Sequence, residues 1–402
     1  MSARVRTLAT VLATGLLVAG GVRAEAAVPA ASAQGSPSAQ GSPAAHGSAA
    51  SASGPAQVLA GLTLEQRVGQ LFMVGGPATG VTAATRRAIT DYHVGNAMLT
   101  GRSQRGVAST AAVSRALQRL STTAATGGVR LFVATDQEGG LVQVLNGPGF
   151  SDMPTALAQG RLSESSLRAR AGTWGRQLRA AGVNVNLAPV LDTVPSARFA
   201  PKNPPIGAFD REYGFTTDRV GSRGTAFARG MQAAGVEAAI KHFPGLGRVT
   251  ANTDTSAGVT DRVTGPRDPY RRPFARSIAA GAPFVMMSSA YYARIDPRSP
   301  AVFSSKVIRG MLRTDLRFTG VVISDDLGNS RQVRRWSPGV RAVRFLRAGG
   351  DLVLTVNAAT IPTMYRAVLA EARADTAFRR LVDQAALRVL TRKEAQGLLP
   401  AR

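Results

Sequence analysis

Beyond residue 58 the chain alternates short apolar runs with stretches of helical periodicity. The runs are Leu71 to Val74, Ala97 to Thr100, Arg130 to Thr135, Val183 to Ala188, Ala238 to His242, Phe284 to Ser288, Val321 to Ser324 and Asp351 to Thr355. Each is short, rich in β-branched or large apolar side chains and bounded by polar residues, the pattern of a strand buried on both faces. Between them the apolar positions recur with the period of a helix at Ala108 to Ala124, Leu167 to Ala181, Arg219 to Ala234 and Val307 to Leu316, and Phe378 to Leu390 closes the chain. The opening helix is announced by Thr63-Leu64-Glu65-Gln66, a capping box. Eight alternations of strand and helix predict an α/β protein, a (β/α)8 TIM barrel in one domain from residue 58 to 402, with a doubly wound open sheet as the alternative.

The polar residues that end these strands gather at one kind of place. Asp136-Gln137-Glu138-Gly139-Gly140 follows the third run, Asp192 the fourth, Lys241-His242 and a loop to Asp254 the fifth, Ser288-Ser289 the sixth and Asp325-Asp326 the seventh. In a barrel these carboxyl ends converge on one face, where such folds do their chemistry. Any single strand-end aspartate is also a candidate helix cap. Their repetition at the same ends favours a site.

The start of the chain reads differently. Arg4 and Arg6 precede an apolar run from Leu8 to Val22 and the small-residue pattern Ala24-Glu25-Ala26, which predicts a secretory signal peptide over residues 1–26. Residues 27–57 repeat Ala-Gln-Gly-Ser-Pro at Ala33 and Ala39 and hold too few apolar side chains to offset ordering entropy, so they read as a flexible spacer.

Composition narrows the chemistry. Of 402 residues 44% are hydrophobic, enough for a substantial core, and there is no cysteine, which excludes disulfides, thiolate metal sites and cysteine nucleophiles. Lys and Arg number 49 against 24 Asp and Glu, a formal charge of +25, and the only lysines are Lys202, Lys241, Lys306 and Lys393. Such an excess of arginine attracts polyanions. The arginines are spread without basic runs and only 5% of residues are aromatic, which disfavours nucleic acid; anionic cell-wall polymers or a carboxylate-bearing substrate account for the charge equally well. A zinc site is disfavoured by the three histidines, of which His46 lies in the spacer and His93 near the second run. Gly245-Leu246-Gly247 opens no helix and is too short for a dinucleotide fingerprint, and Ser324 lacks the glycines of a nucleophile elbow. No cofactor is implied.

Several motifs together resemble glycoside hydrolase family 3, in particular its single-domain bacterial β-N-acetylglucosaminidases. They are DQEGG at Asp136 to Gly140, LAPVLD at Leu187 to Asp192, KHFPG at Lys241 to Gly245 and GVVISDDL at Gly320 to Leu327, within a likeness running from Leu62 to Leu354. The resemblance implies cleavage of terminal β-linked N-acetylglucosamine with retention, with Asp325 as nucleophile and Asp136, Arg211, Lys241 and His242 as sugar-binding residues. The bland readings are a helix cap for Asp325 or Asp326, a buried salt bridge for Lys241 and a packed core histidine for His242.

The departures from the family matter as much. Where its loop after KHFPG carries a histidine that protonates the leaving oxygen and an aspartate that orients it, this chain has Asp254 and Asn252. Leu141 and Val144 stand where arginines are common, and the stretch before Arg211 is two residues longer than the family's. Three outcomes follow: Asp254 is the general acid, Glu138 or Asp261 supplies the proton, or protonation is lost and the protein binds cell-wall glycans without efficient turnover. Gly245, Gly247 and Gly258 are expected to let the loop swing.

Overall fold

A computed structural model describes residues 54–401. The expected signal peptide and most of the expected spacer lie outside the described residues. The first helix among the described residues, Pro55–Gly61, begins slightly ahead of the expected boundary, and its Val58 is apolar and buries against the carboxyl-terminal residues Leu390 and Leu399. The capping box at the next helix, Leu64–Gln70, is formed in both directions between Thr63 and Gln66.

The eight expected strands are present: β1 (Phe72–Pro77), β2 (Asn96–Thr100), β3 (Phe132–Thr135), β4 (Val185–Asn186), β5 (Glu237–Phe243), β6 (Phe284–Met287), β7 (Val321–Ser324) and β8 (Val353–Thr355). Each pairs in parallel with its sequence neighbour from β1 to β7, and β8 pairs with β1. The ring closes between β7 and β8 through the parallel bridge of Ile323 with Leu352 and the bond from the Ser324 amide to the Leu352 carbonyl, 3.0 Å. A closed (β/α)8 barrel, and not an open doubly wound sheet, is the result.

Strand alternation builds two cores. Met73, Met98, Phe132, Leu187, Phe284, Met286, Ile323, Leu352 and Leu354 fill the barrel interior, while Phe72, Val74, Val133, Val285, Val322 and Val353 face the surrounding helices. Side chains along a strand point to opposite faces, so apolar residues at every position are needed to satisfy both. Val389 and Leu398 join the interior cluster from the carboxyl-terminal segment, and beside it Lys393, fully buried, donates to Gln70 Oε1 and the Gly95 carbonyl.

Two helices differ from expectation. The stretch expected at Ala108 to Ala124 is split into Gly106–Gln118 and Thr123–Thr126, because the Thr122 hydroxyl accepts the Ala125 amide and starts a new helix. Lys306–Asp315 is wound wider than an α-helix, its last amide, Leu316, bonding the Met311 carbonyl five residues back.

Candidate active site

The third, fourth and fifth strands supply a buried charged cluster. Lys241, near the end of β5, is almost wholly buried and places its ammonium 2.6 Å from Asp136 Oδ1 and 2.6 Å from Glu138 Oε1. Arg211 grips Glu138 from the other side through Nε, 2.8 Å, and Nη2, 2.7 Å, and donates through Nη1 to the Pro205 carbonyl. Burial works to raise the Glu138 pKa, but the positive charges of Arg211 and Lys241 outweigh it and hold the group at about 2. The same contacts hold Lys241 firmly protonated despite burial.

Glu138 is therefore ionised and fully engaged, which removes it as a proton donor. Asp261 is excluded on other grounds, since its carboxylate accepts the amides of Val263 and Thr264 and the Thr264 hydroxyl, the pattern of a turn. Glu138→Ala is expected to cost about 3–5 kcal/mol in denaturant unfolding, because two buried cations lose their shared partner. A depressed carboxyl pKa adds stability above its unfolded value, here near 4.5, and that contribution is lost as pH falls toward 2. The wild type should thus show acid destabilisation over this window that Glu138→Ala lacks.

The structure gives Lys241 its salt-bridge reading and also leaves it useful. Two of its three N–H donors are taken, and of the two carboxylates it holds, Asp136 is the more open, with a quarter of its side chain exposed. Asp136 thus lies fixed at the barrel mouth with room for a hydroxyl partner. Arg211 reaches this cluster despite the longer stretch before it, which turns through a short 3-10 helix at Gly207–Phe209 and a left-handed Asp210. Its contacts make it the clamp on Glu138.

His242 is anchored by Asp192, whose Oδ2 stands 2.7 Å from Nδ1, while Oδ1 accepts the amides of His242 and Leu246. A carboxylate at Nδ1 fixes the proton there and leaves Nε2 as the other polar end of the ring. Asp192 and Glu138 are positioning residues that the sequence reading quoted inside its motifs but assigned no such role.

On the opposite side of the mouth, β7 delivers Asp325 and Asp326, and their hydrogen bonds separate them. Asp326 accepts the amides of Gly328, Asn329 and Val356, so it ties the turn after β7 to the segment after β8. Among the described residues, the Asp326 amide, at 2.8 Å, is the one hydrogen-bond donor to Asp325. The capping reading belongs to Asp326, and the Asp325 carboxylate keeps its capacity for an external partner.

Asp254 lies on the loop after β5. By surface area it is exposed, yet enough protein surrounds its carboxyl that desolvation, together with the negative charge of Asp325, pushes its pKa up to about 6 against the opposing pull of His242 and Arg211. The loop is fastened at several points along its length. Asn203 Nδ2 donates to the Leu246 and Val249 carbonyls, and a Cβ on Gly247 would meet the Thr193 carbonyl at 1.8 Å, so that glycine serves close approach. Further along, the Thr253 carbonyl accepts the Ser330 hydroxyl and the Gln332 amide, the Asp254 carbonyl accepts the Arg331 amide, and the Gln332 side chain bonds both polar groups of Val259. The loops bearing Asp254 and Asp325 are thereby joined directly.

Comparisons with known proteins identify the family. Residues 63–392 match the glycosyl hydrolase family 3 N terminal domain. A β-hexosaminidase of Thioalkalivibrio sulfidiphilus is 34% identical over 288 residues, 69% of this chain and 78% of its own. The crystal structure of a β-N-acetylhexosaminidase from Beutenbergia cavernae superposes with a TM-score of 0.82 at 54% identity, covering 83% of this chain and 99% of that one. A family 3 β-N-acetylglucosaminidase from Paenibacillus sp. FPU-7 follows with a TM-score of 0.76 and 33% identity over 85% of this chain and 64% of that one. The chain belongs to glycoside hydrolase family 3. It is a glycoside hydrolase built on the family's barrel.

Proposed function

We propose that this enzyme is an exported retaining β-N-acetylhexosaminidase that releases terminal β-linked N-acetylglucosamine from cell-wall or chitin fragments. The observation that carries the reading is the pair of unequal carboxyl groups at one barrel mouth, Asp325 with a single neighbouring amide and Asp254 with a pKa near 6. A carboxyl whose pKa is raised can hold a proton for the leaving oxygen, while one left open by its hydrogen bonds can attack. In the first step an Asp325 oxygen bonds to the anomeric carbon as the glycosidic bond breaks, and the Asp254 proton passes to the departing oxygen. In the second, Asp254, now a carboxylate, takes a proton from water whose oxygen attacks the anomeric carbon and releases Asp325. Two inversions give net retention.

The Asp136, Lys241 and His242 cluster is the sugar cradle in this reading, with Glu138, Arg211 and Asp192 holding it. Charge-assisted bonds from such groups to pyranose hydroxyls fix the ring against Asp325. Asp136→Ala is expected to lower kcat/KM on every substrate by about 10- to 150-fold, the cost of one such bond at about 1.5–3 kcal/mol. Wild-type kinetics in a folded Asp136→Ala protein would remove it from the cradle. Export rests on the basic, apolar and small-residue pattern of residues 1–26, and amino-terminal sequencing of the secreted protein tests it.

The direct experiment is hydrolysis of an aryl N-acetyl-β-glucosaminide beside an Asp325→Asn control, with the first-formed anomer read by NMR. Release of the β-anomer by the wild type alone supports the proposal. Release of the α-anomer, or equal rates in the two proteins, contradicts it.

A further inference from the structure

We infer that the foot of the barrel, opposite the mouth that holds Asp325, carries a second ligand site, a groove for a phosphate group borne on a larger molecule. The groove measures about 390 Å³ and lies among Ala282 and Pro283 just before β6, Arg317 and Thr319 just before β7, and Arg388 and Arg392 of the terminal helix Thr376–Ala395. Residues that lead into parallel strands sit at their amino ends, so the groove opens away from the face where Asp136, Asp254 and Asp325 gather. Its volume falls within the range of roughly 300–1,000 Å³ usual for organic ligands, more than a lone phosphate fills. Neither the acid nor the nucleophile of the proposed reaction enters this site.

Two observations select the ligand, and the first is charge that the protein leaves uncancelled. Arg313 and Arg388 share one buried carboxylate, Asp351, at 2.5 and 2.9 Å, and Arg392 takes Glu237 at 2.5 Å. The Arg317 side chain is exposed, and its guanidinium has no hydrogen-bond or ion-pair partner among the described residues. Asp315, two residues before it, is engaged by Arg271 at 3.3 Å. Four guanidiniums against two carboxylates leave a surplus of two positive charges around the groove. The second observation is the backbone at Arg317. Its φ of +52° is left-handed, at the turn where the Phe318 amide bonds the Leu312 carbonyl and the helix Lys306–Asp315 ends. Glycine or asparagine meets such a turn at least cost, whereas an arginine there is strained. The fold thus bears strain at the lining arginine whose guanidinium is free, and an outlier of this kind points to a use for the side chain. Guanidiniums lining one groove from separate segments suit phosphate, with its several acceptor oxygens, better than the two coplanar oxygens of a carboxylate.

Calorimetric titration at low ionic strength tests the site with tripolyphosphate, inorganic phosphate and a linear tetracarboxylate of charge comparable to that of tripolyphosphate. The wild type should bind tripolyphosphate more tightly than either of the others, and Arg317→Gly should weaken that binding about fivefold. Because Arg317→Gly also relieves a left-handed turn, it should unfold at a temperature no lower than the wild type's, which separates lost recognition from lost structure. Arg317→Asn, whose side chain tolerates the same turn, should reproduce the loss. Arg115→Gln removes one exposed arginine from the helix Gly106–Gln118, between β2 and β3, and should leave the affinity within about twofold. Equal affinities of the wild type and both Arg317 variants would overturn the site, and so would an equal loss in Arg115→Gln, which would make the attraction one of net charge alone. Tetracarboxylate or inorganic phosphate bound as tightly as tripolyphosphate would overturn the assignment of a phosphate on a larger molecule.

Discussion

Asp325→Asn is expected to remove glycoside cleavage by several powers of ten while leaving thermal unfolding almost unchanged. The substitution keeps the side chain's shape and a carbonyl oxygen that still accepts the Asp326 amide, so the local turn survives. What it removes is the anionic oxygen that forms the covalent bond, and neither Asp326 nor Glu138 is free to take its place. Asp326 is bound by three backbone amides and Glu138 by two cations. Loss of a nucleophile closes the two-step route and does not merely slow it. A variant that retains more than a few per cent of activity would move the nucleophile elsewhere.

Asp254→Ala should divide substrates by their leaving groups. Sugars leave as poor alkoxides and need a proton, so their hydrolysis should fall by about 10²- to 10⁴-fold. An activated nitrophenyl glycoside departs with little assistance and should suffer much less at the glycosylation step. A mutation that only disturbed the loop would slow both alike, since the fastening at Ser330 to Gln332 positions the mouth as a whole. The split between substrates, with unfolding unchanged, separates proton transfer from structure.

The strands were legible in the sequence because a barrel strand is buried on both faces and its apolar run is nearly unbroken, as Val321 to Ser324 shows. The split after Gln118 was harder to see, since Ser121 and Thr122 fit a helix by period and break it only through a local side-chain bond. Asp325 and Asp326 are chemically identical in a sequence, and only the backbone amides of Gly328, Asn329 and Val356 assign the structural role to the second. Glu138 was open as a proton donor because its two cations approach from positions far along the chain, and their charges decide its protonation. The fastening of the loop was likewise not visible from Gly245, Gly247 and Gly258, since Gln332 reaches Val259 across a separation of 73 residues. Asp254 was legible in the sequence as a candidate acid. The environment that raises its pKa was not, because it depends on Asp325 and on the walls of the mouth.

The most direct test is the pH dependence of kcat/KM on a β-linked N-acetylglucosamine disaccharide, measured for the wild type and for Asp254→Asn. An acid that must hold its proton gives an activity that falls as pH rises through its apparent pKa. The expected result is a basic limb near pH 6 in the wild type and its absence from the residual activity of the variant. A wild-type profile flat through this region, or a limb that persists without the Asp254 carboxyl, would contradict Asp254 as the proton donor.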